Sequence, residues 1–176
     1  MKRLSLLLLD ANVVIHLFET GIWPKAVEAC DLHLARTVVG EAHFFEDERG
    51  QRHDFDLAPY IDRQEITVFD VMPSDMDAFF EQFDVSYLEK LDDGEAESLA
   101  YMLKAPEEML FCSADKIVFR VLGNLDRSTQ GISLEEVLNR IGHSRPLPHQ
   151  FGKAYRDKWT AQGVEERMRG IGTKTR

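Results

Sequence analysis

Residues 4–9 (Leu-Ser-Leu-Leu-Leu-Leu) are a nearly unbroken apolar run that stops at Asp10. A run this short and continuous predicts a strand buried on both faces, as in a parallel sheet. Turn chemistry at Asp10-Ala11-Asn12 opens a short helix over 13–19, which Thr20-Gly21 breaks. Residues 23–32 have the spacing of a second helix, with Pro24 in its first turn. A β-branched stretch over 35–39 predicts a second strand, Gly40 ends it, and Glu41 opens the next element. Residues 66–71 predict a third strand. A helix then begins at Pro73-Ser74, with Ser74 as its N-cap and Met76, Phe79, Phe80 and Phe83 on its apolar side. Further along, 92–102 predicts a helix, 109–112 a fourth strand and 115–122 another helix. Ser133-Leu-Glu-Glu136 is a capping box that opens a helix ending at Gly142. Residues 43–57 fit either a hairpin around Arg49-Gly50 or a helix followed by a loop.

Strands alternating with helices predict an α/β fold, a mostly parallel sheet flanked by helices. After 142 the pattern changes. Arg145-Pro-Leu-Pro148 has the composition of a linker, and 150–168 that of a basic, weakly amphipathic helix. The expected organisation is therefore one domain over 1–142 with a helical C-terminal extension over 143–176. The longest apolar run, 6–9, is far short of the ~20 residues of a membrane span. The basic Lys2-Arg3 start has a faint signal-peptide character, but Asp10 follows with no small-residue cleavage site, so a cytoplasmic protein is expected. Cys30 and Cys112 have no metal-type spacing and agree with a reducing compartment.

Charge refines this outline. The net charge is −10, but residues 41–97 carry 18 acidic and 4 basic side chains, whereas 140–176 carry 3 and 9. An acidic surface repels phosphates, which argues against a generic nucleic-acid binder. An enzyme that binds cations and presents a local basic patch remains compatible. The six histidines show no ligand spacing, no Gly-rich phosphate loop is present, and the serines lack a nucleophile-elbow context.

The acidic residues carry the candidate chemistry. Two predicted strands, the first and the fourth, end in Asp10 and Asp115. In open parallel sheets, sites form beyond the carboxyl ends of strands where strand order switches. Glu41 follows the second predicted strand, and Glu95 lies in the first turn of a helix that could pack over the same rim. Four convergent carboxylates raise one another's pKa unless a cation joins them. Oxygen-only ligands suit Mg²⁺ or Mn²⁺, which can activate water at a phosphodiester. Each residue also has a plainer role. Asp10 and Asp115 could be helix caps, Glu41 a surface acid, and Glu95 the partner of Asp92 in a capping box.

In order along the chain, four segments resemble the motifs of PIN-domain nucleases. They are Leu-Leu-Leu-Leu-Asp10-Ala-Asn-Val-Val-Ile, Val38-Val-Gly-Glu41, Leu91-Asp-Asp-Gly-Glu95-Ala-Glu-Ser-Leu-Ala and Phe111-Cys-Ser113-Ala-Asp115-Lys116. The resemblance spans about residues 4–141 and implies a PIN-like, Rossmann-like sheet of strand order 3-2-1-4-5. It implies Asp10, Glu41, Glu95 and Asp115 as ligands of Mg²⁺ or Mn²⁺, with Asn12 and Ser113 orienting the first and last Asp. It further implies metal-dependent endoribonuclease activity on an RNA substrate. Many small members are toxins paired with an antitoxin protein. The alternative is a non-cleaving PIN-like module that binds RNA or a protein. Lys116 and Arg120, one helical turn apart, are candidate phosphate contacts, and the basic tail either contacts RNA or docks on the acidic part of its own chain. Asp92, Asp93 and Glu97 crowd Glu95, and 46–62 is an insertion. Strand-Asp10-x-Asn12 also resembles haloacid-dehalogenase-type phosphatases, but Asn12 stands where those enzymes have a second acid. The Phe79, Phe80 and Phe83 group fits a core or a homodimer interface.

Overall fold

The computed structural model describes residues 3–174; Lys2 of the basic start lies outside them. Strand β1 (Leu4–Leu9) runs into helix α1 (Ala11–Glu19), α2 (Trp23–Ala29) and β2 (Cys30–Ala35). Helix α3 (Arg36–Glu41) precedes a hairpin of β3 (Phe44–Glu46) and β4 (Arg52–Asp54), then α4 (Ala58–Asp62) and β5 (Ile66–Phe69). The second half holds α5 (Pro73–Phe80), α6 (Asp93–Lys104), β6 (Leu110–Cys112), α7 (Lys116–Asn124), β7 (Gly131–Ile132), α8 (Leu134–Arg140) and α9 (Lys153–Met168).

Strands β5-β2-β1-β6-β7 form one parallel sheet in that spatial order. Numbered along the chain, this is the expected order 3-2-1-4-5. Strand order reverses between β1 and β6, where Leu9 lies opposite Cys112. Helices cover the sheet, and Leu8, Leu32, Leu34, Phe111 and Trp23 are fully buried between the layers. A central parallel strand has no solvated face, which explains its continuous apolar run. Among the described residues, no helix is long and apolar enough to cross a membrane.

Several boundaries differ from the expected ones, for physical reasons. The second strand is Cys30–Ala35, and the β-branched residues Thr37, Val38 and Val39 lie in α3. Residues 30–32, expected as helix, belong to this strand. They pair with β1, and tertiary pairing overrides local propensity. Helix α5 is capped at Met72 with Pro73 in its first turn, so Ser74 lies inside the helix and is not the cap. Phe79 and Phe83 are fully buried, but Phe80 is 43% exposed and leaves the apolar side. Of the two readings of 43–57, the hairpin holds, anchored where Phe55 stacks on Phe18 of α1 at 3.8 Å.

The extension contributes α9, which lies directly on α7. Two glycines set the spacing. A Cβ on Gly163 would sit 2.0 Å from the Arg120 carbonyl oxygen, and one on Gly123 would sit 2.3 Å from that of Thr160. The close approach brings the Glu166 carboxylate, 9% exposed, against Arg120, which donates to it at 2.7 Å through Nη2. Tyr87 Oη donates to the same carboxylate at 2.6 Å and Gln162 Nε2 at 2.8 Å. Burial opposes ionisation of Glu166, yet these donors hold its carboxyl below the usual range. The tail therefore docks on its own chain, but its cations pair with Glu136, Asp126, Asp157 and Glu165 rather than with the acidic 41–97 segment.

If the glycine contact sets the α7–α9 distance, Gly163→Ala should destabilise the protein by about 1–3 kcal/mol, because neither backbone can yield. That corresponds to a Tm lower by several degrees in a chain of this size. Gly40→Ala is the control. It adds a methyl to α3 in open space and should be neutral or stabilising by up to about 1 kcal/mol. Thermal melts of the two variants beside the wild type check both; equal effects would remove the steric account.

Candidate functional site

The site lies at the carboxyl ends of β1 and β6. The Asp10 backbone N–H donates to the Cys112 carbonyl at 3.2 Å, extending the pairing one residue beyond β1. The Asp10 side chain, 2% exposed, then joins three segments. Its Oδ1 accepts from the Val13 N–H at 2.9 Å, capping α1. Its Oδ2 accepts from the Ser113 hydroxyl and, at 3.1 Å, from the Ala114 N–H. Burial raises the Asp10 carboxyl to about 6, although these three donors oppose the rise. The plainer capping role and the site role thus coexist in one side chain.

Ser113, expected to orient the last Asp, gives its hydroxyl hydrogen to the first, Asp10. Its oxygen also accepts the Asp115 N–H at 2.9 Å, so one hydroxyl links both aspartates. Asp115 is half-buried and caps α7 by accepting the Ile117 N–H at 2.9 Å. Asn12 behaves differently. It is exposed in the first turn of α1 and makes no side-chain hydrogen bond among the described residues, so the expected orienting bond to an aspartate is absent. Asp10 is already satisfied by groups from the opposite strand end.

Glu95 is 3% exposed in the first turn of α6. Its Oε2 accepts the Asp92 N–H at 3.2 Å, and its own N–H donates to Asp92 Oδ1 at 2.8 Å. The capping box is therefore real. Burial, then the charges of Asp92, Asp10 and Asp115, push the Glu95 carboxyl up to about 9. At neutral pH and without a cation it holds a proton. Glu41 is the last residue of α3 and is exposed at the rim. Partial desolvation, then the charges of Asp92, Asp93, Glu97 and Asp10, raise its carboxyl as well. Gly94 permits this approach: a Cβ there would meet Val38 Cγ2 at 2.9 Å and Glu41 Oε2 at 3.5 Å.

Asp10, Glu95 and Asp115 thus share one field, with Glu41 beside it. Even so, no three His, Cys, Asp or Glu side chains among the described residues are gathered into a group that could hold a metal ion as they stand. Arg120 is not free for a phosphate, because its guanidinium is spent on Glu166. Lys116 remains close to the site and makes no ion pair among the described residues. Two contributors were not assigned from sequence. Among neighbouring acids, the charge of Asp92 weighs most on both Glu41 and Glu95, and its signal is the cap position in Asp92-Asp-Gly-Glu95. Tyr155 of α9 stands near Asp115 and the Lys116 backbone, and nothing local to its sequence marks it.

Comparison of the chain with protein-family models, with curated proteins and with solved structures finds no match. The resemblance to PIN-domain nucleases rests on its four sequence motifs.

The raised carboxyls make a definite statement about pH. Glu95 binds its proton more tightly when folded, with a pKa near 9 against 4.5 for the free side chain. Stability from this group is complete below about pH 4.5 and is lost as pH rises towards 9. In EDTA, the wild-type Tm should fall across that window. Glu95→Gln should flatten the slope and exceed the wild type at pH 8 by a few kcal/mol, an order of magnitude set by ~1.4 kcal/mol per pH unit. Parallel slopes for the two proteins would show that Glu95 ionises without cost.

Proposed function

We propose that the chain is a divalent-metal-dependent nuclease that hydrolyses phosphodiester bonds of RNA. One observation carries the reading. The strand-order reversal places Asp10 and Asp115 side by side, tied through Ser113, and α6 lays the buried Glu95 into their field. Sites of open parallel sheets form at this reversal.

The donor set fits a hard cation in its chemistry. All four acids offer oxygen, as Mg²⁺ and Mn²⁺ prefer. Asp115 Oδ2 and Glu95 Oε1 accept no hydrogen bond among the described residues, so each has an oxygen to give. Asp10, Glu95 and Asp115 would hold the ion, with Glu41 completing the set from the rim. A bound ion of this kind lowers the pKa of water and stabilises charge at phosphorus. Ser113 keeps Asp10 in place, and Glu95 would ligate as its carboxylate, without its proton. The second reading is a PIN-like scaffold that binds RNA without cutting it. The absence of a three-ligand group among the described residues favours it.

The separating variant is Asp115→Asn. Its cap needs only one oxygen, so the amide keeps the bond to Ile117 while removing the charge. Asp10→Asn is less clean, because both Asp10 oxygens accept N–H groups and an amide would face one of them. With Mn²⁺, the wild type should cleave a mixed RNA pool and Asp115→Asn should not. Saturating Mn²⁺ should stabilise the wild type by about 2.7 kcal/mol at a hundredfold excess over Kd, and the variant much less. Binding should tighten from pH 6 to 9, since protons leave the ligands. Equal cleavage by both proteins would overturn this site. RNA binding with no cleavage and no metal effect on Tm would establish the second reading.

A further inference from the structure

Beside the acidic site, α7 and α9 enclose a cavity of about 310 Å³ with the 84–90 segment. Its wall includes Lys116, Trp159, Tyr87 and Lys90. Lys116 directly follows Asp115, so the cavity opens within one residue of the proposed metal site. Aromatic rings continue from α9 into the turn before it: Trp159 meets Tyr155 edge-on at 6.0 Å, and Tyr155 meets His149 at 5.0 Å. Two ammonium groups lie over the Trp159 ring, Lys116 at 5.4 Å and Lys158 at 4.9 Å.

The charges here differ from those elsewhere on α9. Lys153, Arg156, Arg167 and Arg169 all pair with carboxylates. Lys116 and Lys158 form no ion pair among the described residues and are held by an indole instead. Aromatic rings beside unneutralised lysines are the general means of gripping single-stranded nucleic acid, with a ring for the base and a cation for the phosphate. Asp84 and Glu89 also line the cavity. A phosphate would be repelled by these two, whereas the amino group of a base would find acceptors. Resting on the nuclease reading, we propose that Trp159, with Lys116 and Lys158, seats one unpaired nucleotide of a single-stranded RNA next to the phosphate at Asp115.

The test uses EDTA, so that binding is separated from cleavage. A short mixed-sequence single-stranded RNA is titrated into the full chain while tryptophan emission is followed. Trp23 is fully buried, so quenching reports on Trp159. The wild type should quench, and Trp159→Ala should bind about tenfold more weakly, within the range for one stacked base. Lys116→Ala with Lys158→Ala should lower the slope of log K against log salt by about 1.4. That double variant carries the test if Trp159→Ala fails to fold. Unchanged affinity in Trp159→Ala, no quenching, an unchanged salt slope, or equal affinity for duplex RNA would each overturn the seat. Mn²⁺-dependent cleavage by the wild type in that case would leave the nuclease reading standing.

Discussion

The structure turns on the short bridge from Asp10 to Ser113 and Ala114. It ties the end of β1 to the end of β6, and α1 begins from the same carboxylate. Two adjacent parallel strands leave their last backbone groups beyond the ladder, where water or a side chain must satisfy them. A single buried acid satisfies three donors here, one from α1 and two from the end of β6. A burial this deep is costly for a charge, and the donors offset part of that cost. The same bridge therefore fixes where two helices start and where Asp115 stands.

That arrangement concentrates negative charge, and the neighbouring elements respond to it. Glu95 lies at the N-terminus of α6, where the helix dipole favours an acid, yet burial and three neighbouring carboxylates outweigh the dipole and keep it protonated. Thr37 of α3 donates to Glu97 at 2.7 Å and holds one more acid away from the centre. On the opposite flank, tail cations pair with Glu136 and Asp126, while the tail's own Glu166 takes Arg120 of α7. The uneven charge of the sequence is thus sorted into an acidic rim and a helix in which Lys153, Arg156 and Arg167 are paired and Lys158 is not.

Much of this was legible because it is local. Asp10 stands directly after an apolar run and Asp115 three residues after one, and Asp92 and Ser133 announce their helices through capping boxes that the structure contains. Elements that depend on distant partners were hidden. Cys30-Asp31-Leu32 is a strand only because β1 and β5 flank it. Strand β7 is two residues long and has no periodicity to detect. The pairing of Arg120 with Glu166 crosses 46 positions, so Arg120 alone has the pattern of an exposed helix cation. Asn12 misled for the opposite reason: its position in the motif was right, but the hydrogen bonds it was expected to supply come from Ser113 and Ala114.

The seating of α9 on α7 also has a consequence for the order in which the molecule is made. The ribosome completes α7 at Asn124 and finishes α9 only at Met168, an interval of a few seconds at ordinary elongation rates. During that time Arg120 lacks its carboxylate, Gly123 faces no backbone, and Lys116 has no indole beneath it. The acids of β1, α6 and β6 are already in the chain. A nascent protein therefore holds its complete acidic rim before it owns the flank beside it, and translation itself sets the sequence in which the two halves of the site come into being.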